Sequence, residues 1–166
     1  MAFQELVKSL EELLDLHISL HELALQKKEH IIHNKMDELN SVVLKETKLI
    51  KEVSNNEQLR QALVVQLQRD LGYRPRLNIK LTEVIKAVTN PDDKQTLIRL
   101  QSELSTAINN LRQLNELNQQ LLMQSMDYVN FSLDAMLGAP DEEATYKKPS
   151  IQPQAVKRTG LFDTRW

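Results

Sequence analysis

The sequence predicts an all-α protein: an elongated antiparallel bundle of long helices over residues 1–137, followed by a disordered C-terminal tail over residues 138–166. Three observations carry that prediction. Residues 1–137 hold almost no helix breakers, only Gly72, Pro75 and Pro91. The same stretch is rich in Leu, Gln, Glu, Lys and Asn and poor in aromatics, which favours long helices over a sandwich or barrel. Its apolar residues recur at spacings of three and four, the period of one helix face. At 166 residues the chain suits one domain.

The first helix opens in "FQELVKSLEELLDLHISLHELAL", where Phe3, Leu6, Val7, Leu10, Leu13, Leu14, Ile18, Leu20, Ala24 and Leu25 form one broad face. The pattern reaches Ile31 and Ile32. At "HNKMDEL", Asn34 suits the N-cap of a second helix, with the Asp37 carboxylate near its positive end. The alternative is one helix running through with a kink. The next segment places Leu39, Val42, Val43, Leu49, Ile50 and Val53 on one side. In "SNNEQL", Ser54 and Glu57 have capping-box spacing, and Asn55 and Asn56 also suit a cap, so a further helix is expected to start there. Gly72 is its expected stop.

"GYRPR" reads as a loop, because Pro75 disfavours helical backbone at Arg74. "NIKLTEVIKAV" reads as a short amphipathic helix. "NPDDKQTL" combines Asn90 as N-cap, Pro91 at the first helical position, and Asp92 and Asp93 in the first turn. From there the pattern runs to Leu137, a helix of roughly 70 Å. Such a helix needs the long N-terminal helices beside it, or a partner.

Residues 138–166 carry three prolines and mixed charge without periodicity, so most of this segment is expected to be disordered. Near its end, Leu161, Phe162 and Trp166 cluster in "GLFDTRW". Such a cluster is either a short docking motif or a frayed terminus.

Composition excludes several functions. There is no cysteine, hence no disulfide framework or thiolate chemistry. The formal net charge of −2 gives no bulk attraction to nucleic acid. The N-terminus lacks the basic segment of a signal peptide, and no apolar run approaches the ~18 residues of a membrane span. A cytoplasmic protein is the resulting expectation. His17 and His21 share one helix face at i, i+4 spacing, but nothing nearby completes a metal site, so no metal is expected. Both fall inside the apolar stripe, as buried or half-buried bundle residues with hydrogen-bond partners. No nucleophile with a base, phosphate loop or carboxylate pair is visible, so neither an enzyme nor a cofactor is expected. Arg74, Arg76 and Lys80 form one small basic cluster, read as a solvated loop.

The last helix is the informative one. At 100° per residue, Leu97, Leu100, Leu104, Ile108, Leu111, Leu122, Met126, Val129, Leu133 and Met136 share one stripe. Asn115 and Asn118 fall inside it. A second seam begins after Leu114 with Leu117, Leu121, Gln124, Tyr128, Phe131 and Ala135, rotated by most of a half-turn. The helix is thus one-sided in its first half and two-sided in its second, and two apolar sides need two sets of neighbours. The second set is another part of this chain, such as the bundle core, a second copy, or a different protein whose helix lies in the groove, for which Met123 and Met126 offer adaptable surface. Asn115 and Asn118 suit a register-setting polar layer, for which His17 and His21 are the candidate partners.

These segments resemble the FlgN-type flagellar export chaperones over roughly residues 3–137. The opening "LVKSLEELLDLHISLHELALQKKEHIIHNKMDELN" is similar to that family's Leu-rich helix, Lys–Glu segment and break before an acidic–Leu turn. "LNELNQQLLMQSMDYVNFSLDAM" resembles its Leu-Asn-x-x-Asn-x-x-Leu-Leu pattern followed by Tyr, and the tail "FDTRW" resembles relatives from Gram-positive bacteria. The break at "HNKMDEL" departs from the family in lacking its frequent Gly-Asp. The resemblance implies a cytoplasmic protein without ATPase activity. It would mask the C-terminal helical regions of hook–filament junction (hook-associated) proteins and deliver them to the type III export gate. By position it implies client contacts at Leu117, Leu121, Leu122, Gln124, Tyr128 and Phe131, with Met123 and Met126 secondary. A monomer or weak homodimer fits. The rivals are a self-associating coiled-coil structural protein and a helical adaptor of another secretion system.

Overall fold

The computed structural model describes residues 2–138. Its elements are α1 (Ala2–Ile32), α2 (Met36–Asp70), α3 (Leu81–Ala87) and α4 (Pro91–Leu137), with no strand among the described residues. The predicted all-α architecture is the one observed. The expected disordered tail, with Leu161, Phe162 and Trp166, lies outside the described residues.

Helices 1 and 2 are separate, and Asn34 does the opposite of what its sequence context suggested. Its φ of 53° is left-handed, a conformation asparagine tolerates better than most residues. The Lys35 N–H donates to the His30 carbonyl at 2.9 Å and the Asn34 N–H to the Ile31 carbonyl at 3.2 Å. Those two bonds are a Schellman closure, so Asn34 terminates α1. Lys35 occupies the α2 cap position without a side-chain bond, and Asp37 and Glu38 supply negative charge in the first turn instead. Gly72 ends α2 by the same device, as predicted. At φ 79°, its N–H reaches the Arg69 carbonyl at 3.0 Å and the next N–H, of Tyr73, reaches Gln68 at 2.8 Å.

The break expected at "SNNE" is absent, and α2 runs unbroken for 35 residues. Cap-forming side chains start a helix only when they lack better partners, and Asn56 has them. It is buried against α1, where its Nδ2 donates to Glu12 Oε2 at 2.9 Å and its Oδ1 accepts from the Ser9 hydroxyl. Glu57 turns to Arg60 one helical turn on. The small propensity cost of these residues mid-helix, a few tenths of a kcal/mol each, is outweighed by the packing of Leu63, Val64 and Leu67 beyond them.

The loop after α2 is pinned by a buried side chain. Gln68 Oε1 accepts the Arg76 N–H at 2.7 Å, and its Nε2 donates to the Arg76 carbonyl at 3.3 Å. This satisfies both backbone groups of a residue that has no ladder to join. Helix α3 follows where the amphipathic segment was predicted. Helix α4 opens as its sequence demands: Pro91 leads and the Asn90 Oδ1 accepts the Asp92 N–H at 3.0 Å.

Helix α1 is the central element, packed along α2 and along α4, while α3 packs on α4. Helices α1 and α2 form an antiparallel hairpin. Ser9 meets Asn56 toward its open end, and Lys27 pairs with Glu46 at 2.7 Å near its tip. Helix α4 then reverses again and runs in the direction of α1, with Asn118 beside Ala24. The largest core lies at the open end. There Ala2, Leu6, Leu10 and Leu13 meet Leu63, Val64 and Leu67, the α3 residues Val84 and Ile85 with Val88 just after them, and Leu97, Leu100 and Leu104. Toward the tip the apolar stripe is covered less well than its periodicity suggested. Ile18, Leu25, Val43 and Ile50 are exposed, although all four carry the apolar pattern of core positions.

Candidate partner-binding surface

The end of α4 is positioned by length. Helix α4 has 47 residues and α1 has 31. With Asn118 level with Ala24, a common 1.5 Å rise puts the last residue of α1, Ile32, level with Met126. Beyond that level α4 has no helix of the hairpin beside it. The overhang spans roughly 16 Å, about three turns.

That overhang is apolar. Tyr128 and Phe131 are each 72% exposed and Met136 is 83% exposed. Among the residues expected to bind a partner, Met123, Gln124, Met126, Tyr128 and Phe131 are exposed, Leu117 and Leu122 each keep 38%, and Leu121 is half-buried. The second seam therefore emerges from the bundle flank at Leu117 and Leu121 and is fully open by Tyr128. The first stripe departs from expectation. Its proximal residues Leu97, Leu100 and Leu104 are buried, but Ile108 is exposed, and so are Leu122, Met126, Val129, Leu133 and Met136. Beyond Met126 the stripe does not pack on the N-terminal helices, because α1 ends before it can reach that far, whereas Ile108 and Leu122 are open beside α1 itself. The helix period marks both faces, and both are open toward the end of α4. The signal that finds this is the difference in helix length, which the period alone does not contain.

The polar residues inside the first stripe behave differently from one another. Asn118 is 3% exposed, and its Nδ2 donates to the Ala24 carbonyl at 2.8 Å across the α1–α4 interface. That carbonyl has a second lone pair free beside its helical bond, so the contact fixes the axial register of two helices without breaking either. The histidines are not the partners. His17 Nδ1 lies 2.7 Å from the Leu13 carbonyl of its own helix. His17 and Asn115 line one shallow cleft with Ile108 and Leu111 without a hydrogen bond between them, and His21 is half-buried. The Oδ1 atoms of Asn115 and Asn118 are buried and unpartnered.

This predicts an unusual substitution result. Asn118→Leu removes one hydrogen bond worth about 1 kcal/mol net and also one desolvated, unpaired oxygen costing about 1–3 kcal/mol. Urea unfolding should show a variant about 1 kcal/mol more stable than the parent. A variant less stable by a similar amount would mean the amide is net stabilising.

No group of three or more His, Asp or Glu side chains with metal-holding geometry is present among the described residues. No helix among them is long and apolar enough to cross a membrane. The basic loop residues Arg74, Arg76 and Lys80 are exposed. Arg76 borders an open cleft with Arg60, Arg69 and Leu77 on the α2 side of the hairpin's open end, far from the α4 overhang.

The family model described as FlgN protein matches residues 1–152. A relative from Bacillus subtilis (strain 168), described as uncharacterized protein YvyG, is 28% identical over 167 residues, which cover 99% of each chain. No solved structure matches the chain.

Proposed function

The chain belongs to the FlgN family of flagellar export chaperones, and from that premise we propose that it binds hook-associated proteins through the distal part of α4. In this reading it masks the C-terminal helical regions of hook–filament junction proteins in the cytoplasm. It then hands them to components of the type III export gate, by stoichiometric binding and release without catalysis. The supporting observation is the α4 overhang, a helix end apolar on both sides with no neighbour from the hairpin.

The physical fit is that of helix against helix. A monomeric client exposes amphipathic segments that would otherwise self-associate, and an apolar helix end offers a surface for them to lie against. Tyr128 and Phe131 supply large rigid contact area, while Met123 and Met126 adapt to the client's side chains. Leu117 and Leu121 extend the same face back onto the hairpin, so a docked client helix would complete a bundle that α1 leaves unfinished.

Co-expression of the full chain with the hook-associated proteins of its own organism is the test. The expected result is a stable complex with one or more of them on gel filtration. If none co-elutes with chain that is folded by circular dichroism, the reading fails. Light scattering on the chain alone separates it from the rival of self-association: a dimer stable at micromolar concentration would mean that the seam is occupied by a second copy.

A further inference from the structure

Charge is arranged along the distal part of α4 in a way the client reading does not use. Between residues 113 and 137 there is no Lys or Arg. The acids in that stretch are Glu116, Asp127 and Asp134, all exposed. At 100° per residue the three fall within about 20° of one another, in a row along one edge of the seam that carries Leu117, Tyr128 and Phe131. The seam is thus an apolar strip with an acidic border, 18 residues from Glu116 to Asp134, or about 27 Å.

The chain holds a segment with the complementary pattern. From residue 144 onward it carries Lys147, Lys148, Lys157, Arg158 and Arg165 against one acid, Asp163. Of its large apolar residues, Leu161, Phe162 and Trp166 sit among the last three of those bases. Reach is ample. Residues 139–160 extended span roughly 70 Å, whereas Phe131 and Leu117 lie only about 10 and 30 Å back along α4 from Leu137. A tethered segment works at an effective concentration of the order of millimolar, so a contact too weak to hold a free peptide suffices in cis.

We infer that residues 157–166 dock in cis on the distal α4 seam, with Phe162 and Trp166 against Tyr128 and Phe131 and the basic residues along the row of Glu116, Asp127 and Asp134. The occupant is the chain's own tail, and the contact closes the apolar surface when no other helix lies on it. The inference rests on the same seam as the proposed client site and adds a consequence to it: a client helix and the tail compete for one surface.

Trp166 is the one tryptophan in the chain, so its fluorescence reports the tail in the intact protein. In dilute protein without client, its emission should be shifted to the blue of indole in water and shielded from acrylamide. Phe131→Asp should return both to the values of free indole. Asp127→Asn combined with Asp134→Asn should weaken the shielding in part, and high salt should do the same to the parent. Water-like emission in the parent overturns the inference, as does a blue shift that Phe131→Asp leaves in place. A shift that grows with protein concentration also overturns it, because the occupant is then a second copy. The measurement needs no client, so its failure and the failure of co-purification are separate results. Where a client does bind, its addition should drive Trp166 emission to the red.

Discussion

Phe131→Asp is expected to abolish client capture while leaving the unfolding midpoint of the free chain where it was. Phe131 is 72% exposed on a part of α4 that has no hairpin helix beside it, so the bundle core gains little from its side chain, and the inferred tail contact there is too weak to move the global unfolding midpoint. Exposed substitutions of this kind change stability by no more than about 0.5 kcal/mol. In a complex the same ring is buried. Losing a buried phenyl costs about 1.5–3 kcal/mol, and placing a carboxylate in the apolar contact adds an uncompensated desolvation penalty. Together these amount to a loss in affinity of about 100-fold or more, since each 1.4 kcal/mol is a factor of ten. Tyr128→Asp should behave alike and Tyr128→Phe should bind. Ile98→Asp is the control, because Ile98 is also an exposed apolar residue of α4 but lies at the open end of the bundle. Isothermal titration with the co-purified client, paired with urea unfolding, reads both quantities. Full affinity in Phe131→Asp would remove the overhang from the binding site.

How much of this was legible in the sequence differs from element to element, for physical reasons. Local rules identified the start of α4 and the end of α2, because Asn90–Pro91 and Gly72 act on their own or immediately adjacent backbone and need no distant partner. Local rules failed at Asn34 and Asn56. An asparagine side chain suits an N-cap, a left-handed C-cap and a buried clamp equally well. What decides among them is the conformation of the turn in one case and a residue 47 positions away, Ser9, in the other. The seam from Leu117 to Ala135 was legible as a pattern, since a helix period survives in sequence whether or not anything covers it. Its exposure was not, because that depends on where α1 stops relative to α4. That register is held by contacts such as Asn118 with the Ala24 carbonyl, and a backbone acceptor leaves no trace in the identity of residue 24.

The opposite dissociation is expected at the other end of the molecule. Leu100→Ala should cost about 2–5 kcal/mol of stability, a large share of the ~5–15 kcal/mol typical of a domain, yet leave client affinity unchanged in the protein that remains folded. Leu100 is 1% exposed, inside the cluster where α1, α2, α3 and α4 converge, next to the fully buried Leu97. Four elements meet there, so the cavity left by a truncated leucine cannot close by the shift of one helix, and the upper part of the range applies. The seam at Tyr128 lies about 42 Å along α4 from that point. It is already without neighbours from the hairpin, so weakening the core does not alter the surface it presents. Hydrogen exchange separates the two ends directly. In the parent, amides of α4 beyond Met126 should exchange by local opening at low free energy, and those around Leu100 only by global unfolding. Leu100→Ala should speed exchange around Leu97–Leu104 by the full loss in stability and leave the distal amides as they were. If the distal amides accelerated equally, the overhang would have to be part of the same cooperative unit as the core. Its open apolar faces would then contribute to holding the fold together, and Phe131→Asp would destabilise the free chain.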